Sequence, residues 1–133
     1  MLVQDLWRSG LQWDEEMQNE DFDKWVRWTN LFPKISELQI PRCYFNSARP
    51  TTYKKLQVHI FTDASDKGYG CAVYFRSEDG EEIRCALAIS KAKVAPLKHL
   101  SIPRMELEGA VLGARLLQNV RVSHSYAIGE CFL

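Results

Sequence analysis

No apolar run in this chain approaches the roughly 20 residues that a membrane-spanning helix needs. The first ten residues, MLVQDLWRSG, lack the basic-then-apolar layout of a secretory leader. An intracellular protein with no membrane partner is the expectation. An excess of one charge is missing too: Lys plus Arg equals Asp plus Glu, at 17 each. The chain as a whole therefore exerts no pull on nucleic acid or an anionic bilayer, and any such pull must come from local clustering. The four cysteines, Cys43, Cys71, Cys85 and Cys131, form no CxxC pair and have no histidine at finger spacing, which argues against zinc. Cys71 and Cys85 fall in expected strands and read as small buried apolar groups. Internal repeats and low-complexity tracts are absent. What remains is 133 residues, 46% of them hydrophobic, enough for one ordinary domain or a small domain with an appendage.

All four tryptophans, Trp7, Trp13, Trp25 and Trp28, lie in the first 34 residues. From Asp14 to Phe32 the apolar spacing predicts a packing helix with an aromatic stripe, begun by the acids Asp14, Glu15 and Glu16 and stopped by Pro33. Ile35 to Ile40 reads as a strand or an extended arm. Asn46 to Lys55, NSARPTTYKK, reads as a linker, which divides the chain into a helical, Trp-rich segment (1–50) and a second domain (51–133).

In the second domain, Gln57–Asp63 and Tyr69–Arg76 read as strands. Asp79-Gly80 marks a hairpin turn into a third strand over Glu82–Ser90, where Ile83, Cys85, Leu87 and Ile89 alternate with Arg84, Ala86 and Ala88. Two tight connections in succession imply an antiparallel meander. Ser101 as N-cap and Pro103 in the first turn begin a helix that reaches Asn119. Glu106, Gly109, Ala110, Gly113 and Leu117 share one face of it. Glycine in a helix costs about 1 kcal/mol relative to alanine, so two on one stripe point to close packing on the sheet. The flanking Met105, Leu107, Val111, Leu112, Ala114 and Leu116 are those of a helix mostly buried.

Two carboxylates stand out. Asp63 ends the apolar strand VHIFTD, where it is poorly placed to help a core, and Glu106 opens the helix expected to pack on that strand. Paired acids of this kind suit magnesium, a hard cation that takes oxygen ligands and few protein contacts. The competing structural roles are a turn cap at Asp63 and a dipole interaction at Glu106. From Ile83 to Met105 there are five cations (Arg84, Lys91, Lys93, Lys98 and Arg104), together with His99, and no acid. Such a run is either a solvated loop or a patch for a phosphate backbone.

TDASDKGYGCAVYFR (62–76) and ISKAKVAPLKHLSIPRMELEGAVLGARLL (89–117) resemble the RNase H-like region of BEL/Pao-type retrotransposon polyproteins. LWRSGLQWDEE (6–16) and IPRCYF (40–45) resemble the segment that connects it to the preceding reverse transcriptase. The resemblance covers about residues 5 to 120. It implies an α/β (α+β) RNase H-like fold, in which a three-stranded antiparallel meander is followed by a packed helix and preceded by a helical appendage. Asp63 and Glu106 then correspond to the first two metal-binding acids, and the implied activity is magnesium-dependent cleavage of RNA in an RNA–DNA hybrid. Arg84, Lys91, Lys93, Lys98 and Arg104 would face the nucleic acid, with no small-molecule cofactor.

The match departs from the family at its end. A full member continues into a fourth strand with a third acid, typically Asp followed by Ser, and later a fourth. Here the sequence runs VRVSHSYAIGECFL (120–133), with no Asp after Asp79 and only Glu130 as an acid after Glu108. Glu130 lacks the expected context, as does His124. The expectation is a C-terminally truncated domain, inactive on its own, whose first strand has an open edge unless Ser125–Leu133 pairs there; an open edge invites association. Two other readings differ in class: a non-catalytic nucleic-acid-binding module, or an element-derived fragment with no selected role. An aspartic protease is excluded locally, because Asp63-Ala64-Ser65 is not Asp-Thr/Ser-Gly.

Overall fold

A computed structural model describes residues 2–40, 43–45, 55–98 and 100–133, which fall into two compact units within Met1–Pro41 and Arg42–Leu133. The expected linker lies outside the described residues except for Lys55, as does His99.

The first unit carries three helices: α1 (Leu2–Arg8), α2 (Asn19–Thr29) and α3 (Phe32–Ile35). The helix expected from Asp14 starts later, at Asn19. The acids before it belong to a turn instead, in which the Gln12 backbone N–H donates to the Glu15 carboxylate at 2.9 Å. Pro33 does not stop a helix. It sits in the first turn of α3, where a fixed φ and a missing N–H cost nothing. After α3 the chain makes a further turn, with Leu38 N–H bonded to the Ile35 carbonyl at 3.1 Å, and Leu38–Ile40 run on as an exposed arm rather than a strand. No described residue of this unit is fully buried. Its aromatic residues pack mainly on one another: Trp7 edge-on to Trp13, and Trp28 against both Trp25 and Phe32.

The second unit holds a four-stranded sheet of order β3-β2-β1-β4, made from β1 (Lys55–Ala64), β2 (Gly68–Asp79), β3 (Glu82–Val94) and β4 (Glu130–Phe132), with α4 (Ile102–Ser123) on one face. The first three strands form the antiparallel meander that the alternation predicts. The hairpin turn falls one residue later than Asp79-Gly80. Asp79 pairs with Glu82, and Gly80-Glu81 form the loop with Gly80 at φ 66°, a conformation that glycine adopts without strain. β4 pairs in parallel with β1, Gln57 opposite Glu130 and His59 opposite Phe132. The tail therefore covers the edge of β1 over Gln57–His59. Among the described residues, nothing pairs with β1 on that side from Ile60 to Ala64.

The pleat assigns Leu56, Val58, Ile60 and Thr62 to the helix-covered face, opposite Ser77, Phe75, Val73 and Cys71 of β2. Of these, Leu56, Val58, Ile60, Cys71, Val73 and Phe75 form the core with Phe45 and with Leu112, Leu116 and Val120 of α4, while Tyr44 packs on its margin. Burial in this layer pushes the Cys71 thiol above its ordinary value, which keeps it protonated and inert.

Three expectations need correction. A bulge interrupts β3: Val73 faces Ile89 while its neighbour Tyr74 faces Leu87. The extra residue, Ala88, flips the alternation, so Ile89 leaves the stripe of Ile83, Cys85 and Leu87 and joins the other face. Cys85 is exposed rather than buried, because α4 lies over β1 and β2 and no described element covers the face that bears Cys85. Finally, α4 is buried on one side only. Met105, Gly109, Leu112, Gly113, Leu116 and Val120 are inside, whereas Leu107 is 63% exposed. Ser101 occupies the N-cap position without a side-chain capping bond.

Candidate metal and nucleic-acid site

Asp63 is the penultimate residue of β1, paired with Gly70. Its approach to α4 is set by glycine. A Cβ added at Gly109 would lie 3.8 Å from the Asp63 carbonyl oxygen and 3.8 Å from Thr62 Cβ, so the helix backbone rests almost directly on the end of the strand. Glu106 lies one turn earlier on α4. The fold thus brings the N-terminal half of α4 to the end of β1 at Asp63. Alternation puts Asp63 on the face that α4 does not cover, so the two acids belong to opposite sides of the sheet. Both are exposed, and neither takes part in an ion pair among the described residues. No group of three or more His, Cys, Asp or Glu residues that could hold a metal ion occurs among the described residues.

Glu130 stands elsewhere. Its register partner is Gln57, six residues from Asp63, or about 20 Å along the strand. There it accepts a hydrogen bond from Gln57 Nε2 at 2.7 Å and pairs with Lys55 Nζ at 3.1 Å. Gln57 passes the network on by accepting from Arg76 at 2.8 Å, and Arg76 also pairs with Glu78. These contacts fasten β4 to the sheet. No sequence signal announces them, since Gln57 and Glu130 are 73 residues apart.

The Gln57 hydrogen bond, followed by Lys55, holds the Glu130 carboxyl below its ordinary value of 4.5. A depressed folded-state value means that this group's contribution to stability is present above pH 4.5 and is lost as pH falls through the lowered value. We expect the urea midpoint to fall with pH below that point, and Glu130→Gln to flatten this part of the profile. Parallel acid limbs in the two proteins would refute the assignment. The effect is small, because the pair is solvent-exposed and screened.

The cation run divides into parts that differ in availability. Arg84 sits near the far end of β3, opposite Ser77, and is paired with Glu82 at 2.7 Å. Lys91 and Lys93 lie opposite Cys71 and Tyr69, which in turn face Thr62 and Ala64. They are therefore level with Asp63, two strands or about 10 Å away across the sheet. Lys93 Nζ lies 5.9 Å from the centre of the Tyr69 ring. Lys98 is in the loop before α4, and Arg104 is in the first turn of α4, two residues before Glu106.

One family model matches the chain, that of the Pao retrotransposon-like RNaseH-like domain, over residues 1–133. The chain belongs to this family. No curated protein and no solved structure matches it. The architecture of the second unit, with its antiparallel meander, a helix across β1 and β2 and a parallel strand beside β1, is that of this Pao RNase H-like domain. The match also includes the Trp-rich first unit. No described helix of the Pao domain is long and apolar enough to cross a membrane.

Proposed function

We propose that this Pao RNase H-like domain carries the first two acids, Asp63 and Glu106, of a magnesium site for hydrolysing RNA in an RNA–DNA hybrid. The observation that supports this reading most directly is the approach of α4 to Asp63 at Gly109, which packs the helix that carries Glu106 against the strand end that carries Asp63. The donor set fits one magnesium ion, which keeps several waters and needs only one or two carboxylates. Magnesium, when bound, would supply a Lewis acid for a phosphoryl oxygen and a water of lowered pKa. Asp63 and Glu106 would bind the ion and fix its position, while the nearby cations would hold the substrate backbone. The first two acids alone do not make a two-metal ligand set, so these 133 residues by themselves are expected to bind magnesium weakly and not to cut.

The test uses the 133-residue chain with a labelled RNA–DNA hybrid, in magnesium and in manganese. We expect no product, and metal-dependent amide shifts that Asp63→Asn and Glu106→Gln each weaken at least about tenfold, since even outer-shell changes at metal sites cost that much. Magnesium-dependent cutting lost in Asp63→Asn would overturn the inactivity. Metal shifts that persist unchanged in both variants would overturn the site.

A further inference from the structure

The cation run of residues 84–104 is not one patch. We propose that Lys91 and Lys93, on the edge strand β3, form a backbone track that takes consecutive phosphates of one nucleic-acid strand, and that Arg84 takes no part in binding. The proposal rests on the nucleic-acid reading of the site but assigns the contact to a strand edge rather than to the acid pair.

Three observations carry it. First, the bulge at Ala88 changes which side chains share a face. Upstream of it, Ile83, Cys85 and Leu87 occupy the uncovered face; downstream, Ile89, Lys91 and Lys93 occupy the helix-covered face. Without the extra residue the two lysines would stand with Ile83 and Leu87, behind the sheet from α4. With it they stand on the same side as the helix whose N-terminal turns bear Arg104 and Glu106. Second, β3 is the outer strand of the sheet, and its covering helix lies over β1 and β2, so both lysines remain exposed on a covered face. Two residues on one face of a strand stand about 7 Å apart, a step comparable with that between successive phosphates. Third, the charge of both lysines is available. Neither lysine has an acidic partner among the described residues, whereas Glu82 neutralises Arg84, and Arg76 and Lys55 are tied to Glu78 and Glu130.

The backbone position of the track is also fixed. A Cβ at Gly68 would lie 2.6 Å from the Lys93 carbonyl oxygen, so β2 and β3 are in direct backbone contact where Lys93 projects. The loop that follows is pinned by the Ala95 N–H to the Lys67 carbonyl at 2.9 Å. Positively charged side chains on a fixed strand recognise the charge and spacing of a backbone and carry no base information.

The experiment measures the affinity of the whole 133-residue chain for a fluorescent RNA–DNA hybrid across a potassium chloride series, in EDTA, so that metal binding at Asp63 and Glu106 plays no part. Lys91→Gln/Lys93→Gln is expected to weaken binding about tenfold at low salt and to lower the slope of log K against log salt by about 1.5–2, the value for two lost phosphate contacts. Arg84→Gln is expected to change neither. A slope unaltered by the double variant overturns the proposal, as does an equal loss in Arg84→Gln or no binding by the parent chain. Unchanged binding accompanied by new concentration-dependent association of the double variant would also overturn it, assigning the lysines to protection of an edge strand. Equal lysine-dependent affinity for duplex DNA would support the track while counting against a hybrid-specific substrate.

Discussion

Replacing Phe75 by alanine is expected to cost the second unit about 3–5 kcal/mol, the usual range for a buried phenylalanine. Its side chain is 0% exposed and lies at the middle of an aromatic group drawn from three parts of the chain. Ring centres of Tyr44, His124 and Tyr126 lie 5.2, 5.3 and 5.8 Å from it, and that of Phe45 lies 6.1 Å away. Its removal would open a cavity beside Tyr44, Phe45 and His124. Small domains have only about 5–15 kcal/mol in total, so a loss of this size removes most of the margin. In a urea titration we expect the cooperative transition of Phe75→Ala to move to very low denaturant or vanish. Phe61→Ala is the control: at 60% exposed on the uncovered face, it should shift the midpoint little. Similar losses in the two variants would mean that Phe75 is not the centre of the core.

The second large effect concerns a residue with no side chain. A Cβ at Gly113 would meet Thr62 Cγ2 at 3.0 Å, Ile60 Cγ2 at 3.1 Å and the Cys71 sulfur at 3.4 Å. These side chains belong to two paired strands and cannot all retreat. Gly113→Leu must therefore lift α4 from the sheet, and overpacking of this kind costs about 1–3 kcal/mol or more; we expect the upper end. The same displacement would carry Glu106 away from Asp63, so magnesium-dependent shifts should weaken even where the protein remains folded. One turn earlier the sign reverses. A Cβ at Gly109 meets only ordinary contacts near 3.8 Å, and Gly109→Ala should stabilise by up to about 1 kcal/mol through helix propensity. Thermal melts of the pair decide the matter: equal destabilisation by both would show that the stripe is not graded as described.

These two glycines show what the sequence makes legible. The stripe of Gly109 and Gly113 announces a close approach because two glycines in a helix need a reason, and that approach is present. The meander was equally readable, since strand alternation and an Asp-Gly neighbourhood are local signals. What could not be read depends on distant chain. Cys85 looks like a buried strand residue until one knows that it lies on the face that α4 does not cover. The bulge at Ala88 leaves no trace in an apolar run where Ala, Leu and Ile fit either face. The five cations read as one cluster because sequence distance hides that Arg84 and Lys93 lie at opposite ends of a strand. Glu130 finds Gln57 across 73 positions, and nothing near either residue foretells it.

β4 has a consequence for how the domain assembles. It is held by three residue pairs, Gln57 to Glu130, Val58 to Cys131 and His59 to Phe132, and by the Gly129 N–H to the Leu56 carbonyl at 2.9 Å. Residues 124–129 link it to α4, and ordering them costs entropy against few bonds. The meander and α4 share the core and can form without it. β4 is therefore expected to be the last element to arrive during folding and the first to leave in native fluctuations. Should β4 detach, the sheet would be left with three strands and the whole flank of β1 would be free to accept a strand from another source.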